Sequence, residues 1–309
     1  MTNVAIIGSN GFIGSHLVNN LSKDKTVNLS LFGRSDISLF NTQFPYFKLE
    51  LQDVGKLSKQ FSTIDIVYYL ASATIPSTSW ESPTIELQEN LLPFINFTEA
   101  IAKLGVKKIV FVSSAGTIYG PSLNKLSEES DKQPFSPYGI IKLTIEHFLN
   151  YFKAKYGINY DIYRVSNVYG EGQNTTNGLG IINTFIEQII LNQKIQIFGN
   201  GDNIRNYVYV KDVAEVLSYS LKLDPSVSNI YNIASNDTIS INALVSALKK
   251  IIPIKFEVIY TDKRQSDNST IDVDNAKILS EMPNFRFTTI ERGISEVYNY
   301  ISKQQLHLK

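Results

Sequence analysis

Short apolar runs recur through the first 170 residues, each leading through a polar or glycine-containing junction into a longer stretch with apolar residues every three or four positions. Val4–Ile7, Leu29–Phe32, Phe47–Leu51, Ile66–Leu70, Ile109–Val112 and Tyr160–Val165 read as buried strands, and Ile13–Leu21, Glu86–Leu104 and Ile140–Tyr156 as amphipathic helices. Strands separated by helix-length segments pair in parallel through right-handed crossovers, which predicts an α/β, Rossmann-like doubly wound parallel sheet. After Gly170 the rhythm changes. Helices are expected at Ile181–Leu191, Val210–Leu223, Ile241–Ile251 and Ile290–Ile301, and strands at Ile195–Phe198, Ile230–Ile233 and Lys255–Tyr260. The division that follows is a dinucleotide-binding domain over 1–170, rejoined by 206–235, and a smaller C-terminal α/β substrate lobe from 171–205 and 236–309.

Composition narrows the chemistry. Lys+Arg and Asp+Glu both number 29, so no net field favours nucleic acid or an anionic membrane surface. The absence of cysteine excludes disulfides and thiolate metal sites, and three scattered histidines make no metal site. No apolar stretch approaches the ~18 residues of a membrane span, and Val4–Ile7 runs straight into glycines without a signal-peptide pattern. The expected location is the cytoplasm.

Gly8, Gly11 and Gly14 follow the first strand and open the first helix. Glycines there let the backbone approach a pyrophosphate, which sits over the free N–H groups of the helix N-terminus. Asn10, Phe12 and Ile13 belong to this turn. At the end of the second strand, where a carboxylate would hold the ribose of NAD, stand Gly33, Arg34 and Ser35. Glycine leaves room for the extra phosphate of NADP, and Arg34 and Ser35 can donate to it, so NADP(H) is preferred and NAD(H) stays open. In the other reading Arg34 stacks on adenine, with Asp36 or the backbone serving the ribose. Asp53 with Val54, and Leu70 with Ala71, complete the expected cofactor lining.

Tyr138 and Lys142 lie four apart at the start of a helix after Pro134 and Pro137. They share one face, so the ammonium is expected to favour phenolate and to hold a nicotinamide ribose. Tyr138 then exchanges a proton with a substrate oxygen. One of the hydroxyls at the carboxyl edge of the fifth strand is expected to hydrogen-bond the reacting oxygen beside it.

The glycine turn, Ser113–Gly120, Ser136–Lys142, Arg164–Gln173, Ile204–Asp212 and Arg264 with Asp267 occur in the order of the nucleotide-sugar epimerase/dehydratase/reductase branch of the extended short-chain dehydrogenase/reductases, which the chain resembles over nearly its whole length. The resemblance implies a Ser/Thr–Tyr–Lys triad, a nucleotide-sugar substrate held by Asn167, Phe198, Arg205 and Arg264, and a homodimer through the helices of Glu86–Leu104 and Ile140–Tyr156. Ala115 occupies the family's usual Ser/Thr position, so the resemblance leaves Thr117, or else Ser114, to supply the triad hydroxyl; Asn206 stands at a commonly acidic position, and Tyr207–Tyr209 read as core. Gly116 and Thr117 stand where the dehydratases of the family carry an Asp-Glu pair, which argues against dehydration. Three functions remain. The first is an NADPH-dependent reductase of a nucleotide-linked 4-keto-6-deoxyhexose, in deoxysugar or surface polysaccharide biosynthesis. The others are an NAD-dependent nucleotide-sugar 4-epimerase and a non-enzymatic dinucleotide sensor.

Overall fold

A computed structural model describes the chain except residues 41–42, 52–54, 56–57, 123, 177–179, 263–270 and 308–309 and the side chains of 77, 306 and 307. In chain order the strands are β1 (Thr2–Ile7), β2 (Val27–Gly33), β3 (Tyr46–Lys48), β4 (Ile66–Tyr69), β5 (Lys108–Ser114), β6 (Asn159–Val165), β7 (Asn167–Tyr169), β8 (Ile195–Phe198), β9 (Ile204–Tyr209), β10 (Asn229–Ile233), β11 (Thr238–Ser240) and β12 (Val258–Thr261). Seven of them form one sheet in the order β3-β2-β1-β4-β5-β6-β10. β1 pairs in parallel with both β2 and β4, placing Val4 opposite Leu29 and Ile66. Ala5 and Ile7 on one face and Val4 and Ile6 on the other are all buried, which is why these strands read as continuous apolar runs. The order 3-2-1-4-5-6 is that of a doubly wound dinucleotide-binding sheet, with its crevice beyond the carboxyl ends of the central strands.

Contacts divide the chain into two units. The first comprises 1–118, 132–164 and 214–231; the second comprises 119–131, 165–213 and 232–309. The sequence rhythm gives no hint that 119–131 belongs to the second unit. The Tyr119 hydroxyl donates to Asn232 Oδ1 (2.7 Å) and the Asn232 N–H to Glu128 Oε1 (2.7 Å), bonds between distant segments that no local pattern encodes.

In the first unit the expected helix Glu86–Leu104 is a π-helical turn, Glu86–Leu91, followed by an α-helix, Leu92–Lys103. Pro93 near the start of that α-helix has no N–H to give the preceding turn, a reason for the ladder to widen there. In the second unit, β11-β9-β7 form one small sheet and β12-β8 another. Helices Ile181–Ile190, Ile241–Ile251 and Ile290–His307 bury Ile186, Leu244, Leu248, Ile294 and Val297 in its core. Asp237 accepts from the Ile290 N–H (2.8 Å) and Asp212 from the Thr288 N–H (2.6 Å), satisfying donors at the start of the last helix. Among the described residues no helix is long and apolar enough to cross a membrane.

Candidate active site

The glycine turn is built for close approach. Gly8 has φ +87°, and a Cβ on Gly14 would come within 2.1 Å of the Gly8 carbonyl oxygen. The helix Phe12–Leu21 starts without a side-chain cap and with no acidic residue in its first turn, so its N–H groups are left for an anion. Beside it opens a cleft of about 330 Å³ lined by Gly8, Asn10 and Gly11, by Gly33, Arg34 and Ser35 after β2, and by Leu70 and Ala71 after β4. A nicotinamide dinucleotide fits these residues. Phe12, Ile13 and Gly14 do not line the cleft: Gly14 is buried in the packing of the helix, Phe12 and Ile13 half-buried beside it. Asp53 and Val54 lie outside the described residues. Among the described residues Leu49–Leu51, including Glu50, line the cleft just after β3 ends at Lys48. The strand-end rule points to that segment once the strand is given its true length. Ser72, Ala73, Glu89, Asn90 and Pro93 also line the cleft and were not singled out from the sequence.

Ser35 corrects one expectation. Its hydroxyl donates to the Ile37 carbonyl (2.9 Å), accepts from Asn10 Nδ2 (2.7 Å) and lies 3.0 Å from the Tyr46 hydroxyl. A hydroxyl has one proton and two lone pairs, so none is left for a phosphate. The Tyr46 hydroxyl also donates to the Ser35 carbonyl (2.9 Å) and stands 2.7 Å from where a Cβ on Gly33 would be. The room that glycine leaves is therefore filled from β3. Asp36 is 84% exposed and paired with Lys48 (2.8 Å). Arg34 remains exposed at the cleft.

Tyr138 and Lys142 stand in the helix Pro137–Tyr156, which begins with Pro137 at a position needing no N–H and is capped by the Ser136 hydroxyl accepting from the Gly139 N–H (3.1 Å). Gly139 is where this helix meets the turn after β5: an added Cβ would come within 2.4 Å of the Thr117 carbonyl oxygen. Thr117 is thereby packed against the residue that follows Tyr138. Its Oγ1 is buried and has no partner among the described residues, the state expected of a hydroxyl that serves a ligand. Ser113 is turned inward onto Glu146 (2.6 Å), while Ser114 is half-buried at the end of β5.

Lys142 is 8% exposed; its Nζ donates to the Val112 carbonyl (3.1 Å) and sits 5.4 Å from the centre of the Tyr138 ring. Burial brings its pKa down to about 8 against the support of Glu86 and Glu146. The phenol moves the opposite way from the sequence expectation: burial raises it, the Glu86 charge adds to the rise, and a hydrogen bond from Ser72 opposes it. Glu146 is itself neutralised by buried Arg164 (2.7 Å). Neither Glu86 nor Glu146 is visible in the sequence as a site residue, since a carboxylate in an amphipathic helix reads as a solvated face.

In the second unit, β7 and β9 pair in parallel with Asn167 opposite Tyr207, so Asn167 and Arg205 lie on adjacent strands. Asn167 Nδ2 donates to the Asn206 carbonyl (2.8 Å) and Arg205 to the Ile204 carbonyl (2.9 Å). Asn206 is fully buried: its amide donates to the Ser235 carbonyl (2.8 Å) and Thr238 Oγ1 (3.1 Å), and its Oδ1 accepts from the Ser235 N–H (3.2 Å). An amide suits that set of donors and acceptors where an acid would not. Tyr207 and Tyr209 are core residues, although the Tyr209 hydroxyl donates to Glu171 (2.7 Å). Phe198 ends β8 in the other small sheet, and Arg264 lies outside the described residues.

Known proteins resemble this chain in sequence and fold. A Methanocaldococcus jannaschii protein provisionally named UDP-glucose 4-epimerase is 32% identical over 307 residues, 96% of this chain and 98% of the relative. An Escherichia coli dTDP-4-dehydro-6-deoxyglucose reductase is 25% identical, over 96% of this chain and 97% of the relative. The crystal structure of the Thermus thermophilus UDP-glucose 4-epimerase in complex with NAD matches with a TM-score of 0.87 at 26% identity, covering 97% of this chain and 99% of that one. The profile of the NAD dependent epimerase/dehydratase family matches residues 4–234, a span running from β1 through β10. A match running from β1 through β10 makes the chain an enzyme of the NAD dependent epimerase/dehydratase family.

Proposed function

We propose that the chain is a cytoplasmic nucleotide-sugar 4-epimerase working with NAD. The ring of hydrogen bonds through Asn10, Ser35 and Tyr46 carries this reading. It leaves no serine proton for a 2′-phosphate, and a retained NAD suits a reaction with no net consumption of reductant. The relatives weigh the same way, since similarity to the 4-epimerase names exceeds that to the reductase. This reverses the order read from the sequence, where the reductase stood first and NADP was preferred.

Gly8, Gly11 and the uncapped helix start would hold the pyrophosphate, Leu49–Leu51 and Leu70–Ala71 the adenine side, and Lys142 the nicotinamide ribose. When bound, the nicotinamide supplies the acceptor and then the donor of a hydride. Tyr138 takes the proton from the sugar 4-hydroxyl and later returns it, while Thr117 donates a hydrogen bond to that oxygen. Lys142, its Nζ 5.4 Å from the centre of the Tyr138 ring, is the cation placed to offset the burial and the Glu86 charge that raise this phenol. Asn167, Phe198, Arg205 and Arg264 are the candidates for the nucleotide diphosphate; a guanidinium fork suits paired phosphate oxygens. Exposed Leu87, Leu92, Ile140 and Tyr151, on the two helices of the expected contact, support a homodimer.

Arg34 is the observation that keeps the reductase as a second reading, because it is exposed at the cleft and able to meet a phosphate. Purified protein given UDP-glucose or UDP-N-acetylglucosamine without reductant should form the 4-epimer. Oxidation of NADPH by a nucleotide-linked 4-keto-6-deoxyhexose, without epimer formation in the first assay, would establish the reductase instead.

A further inference from the structure

Glu86 is 1% exposed, and among the described residues no lysine or arginine lies within ion-pair distance of it. An unpaired buried carboxylate is costly, and its neutral partners show that it is held on purpose. The Thr74 hydroxyl donates to Oε1 and Asn90 Nδ2 to Oε2 (2.9 Å). Asn90 also donates to Thr74 Oγ1 (2.8 Å), and its Oδ1 accepts from the Ala73 N–H (2.8 Å), tying the group to the loop after β4. Glu86 opens the π-helical turn and Asn90 follows four residues later, so the widened turn presents both side chains together. Both line a cavity of about 10 Å³, close to the space of a single water, whose other walls include Ser72, Tyr138 and Lys142.

We propose that Glu86 is a positioning residue of the catalytic pocket, whose carboxylate, fixed by Thr74 and Asn90, keeps Lys142 charged inside the core and sets the pH range over which Tyr138 and Lys142 act as a pair. Lys142 faces Tyr138 and Glu146 on its own helix, Glu86 on the π-helical turn, and only a carbonyl and the Phe111 ring on β5. Arg164 on β6 already engages Glu146, and Tyr69 on β4 is buried and neutral, which leaves Glu86 as the carboxylate without a competing cation. Its charge opposes loss of the proton from Lys142 and also opposes ionisation of Tyr138. Neutralising it lowers both titrations, so the working range moves toward acid as a whole.

The proposal rests on Lys142 meeting the dinucleotide, and its test does not need the sugar. NAD affinity is measured by calorimetry across pH for wild type and Glu86→Gln. The alkaline midpoint of binding should fall by about one pH unit in the variant, with affinity near pH 6.5 unchanged within about twofold. The kcat/KM profile for epimerisation should shift in the same direction. A variant with the wild-type midpoint, or with affinity reduced equally at every pH, overturns the proposal. Should Glu86→Gln not fold, Thr74→Val removes one anchor and keeps the carboxylate; a smaller acid-ward shift is then expected, and an unmoved midpoint is the contrary result. Wild type that binds NAD with an alkaline limb yet fails to epimerise overturns the 4-epimerase reading and leaves the role of Glu86 standing.

Discussion

A Cβ on Gly139 would come within 2.4 Å of the Thr117 carbonyl oxygen, so the tyrosine-bearing helix rests on the turn after β5 at this residue. Gly139→Ala must push the two apart. The clash is with backbone, which cannot swing away like a side chain, and overpacking of this kind costs about 1–3 kcal/mol. The variant should lose turnover more than NAD affinity; calorimetry and a turnover assay on one preparation separate the two.

Thr117 and Ser114 are separable. The Thr117 Oγ1 is buried and unpartnered. Thr117→Val should lower kcat by roughly 100-fold with little effect on the melting temperature, because no existing hydrogen bond is lost. Ser114→Ala should cost far less, and the reverse ranking would assign the hydroxyl to Ser114.

Tyr138→Phe should abolish turnover, by a factor on the order of 100 to 10,000. The folded protein and its NAD affinity should survive, since Tyr138 lines a cavity and the change removes one oxygen without altering the ring. Substantial residual turnover would remove Tyr138 from the mechanism.

Lys142 makes stability depend on pH. Its folded pKa is about 8 against 10.5 in a free side chain, so its buried charge destabilises the fold fully below about pH 8. As the pH climbs from there toward 10.5 the folded chain gives up the proton before the unfolded one, and the penalty fades. Lys142→Met removes the group, and denaturant melts without cofactor should show the variant's advantage over wild type shrinking by roughly 3 kcal/mol across that window. A constant difference would mean that Lys142 is not desolvated.

Cofactor choice is readable by binding alone. NAD should bind more tightly than NADP, since Ser35 has no proton to offer and Tyr46 fills the space beside Gly33. Gly33→Asp, which must displace the Tyr46 hydroxyl, should weaken both cofactors unless paired with a smaller residue at Tyr46. Tighter binding of NADP to wild type would transfer the decisive role to Arg34.

The central sheet was legible because parallel strands buried on both faces are apolar throughout, as β1 is. The glycine turn and the Tyr138/Lys142 pair were legible because their chemistry depends on spacing along one chain segment. Glu50 is not legible in the sequence as a cleft residue because the apolar pattern does not show that β3 stops at Lys48. Glu86 and Glu146 were hidden by their charge, which in a helical pattern signals solvent.

Local spacing alone thus determined the sheet class, the glycine turn after β1 and the shared helix face of Tyr138 and Lys142, since each follows from residues a few positions apart. Tertiary structure alone decided what surrounds them: Tyr46 brought against Gly33 and Ser35, Thr117 brought under Gly139, and Glu86 brought to the cavity of Lys142. Hydroxyl availability and charge in a pocket are set by neighbours from other strands and helices. Those neighbours have no periodicity in the chain by which to be found.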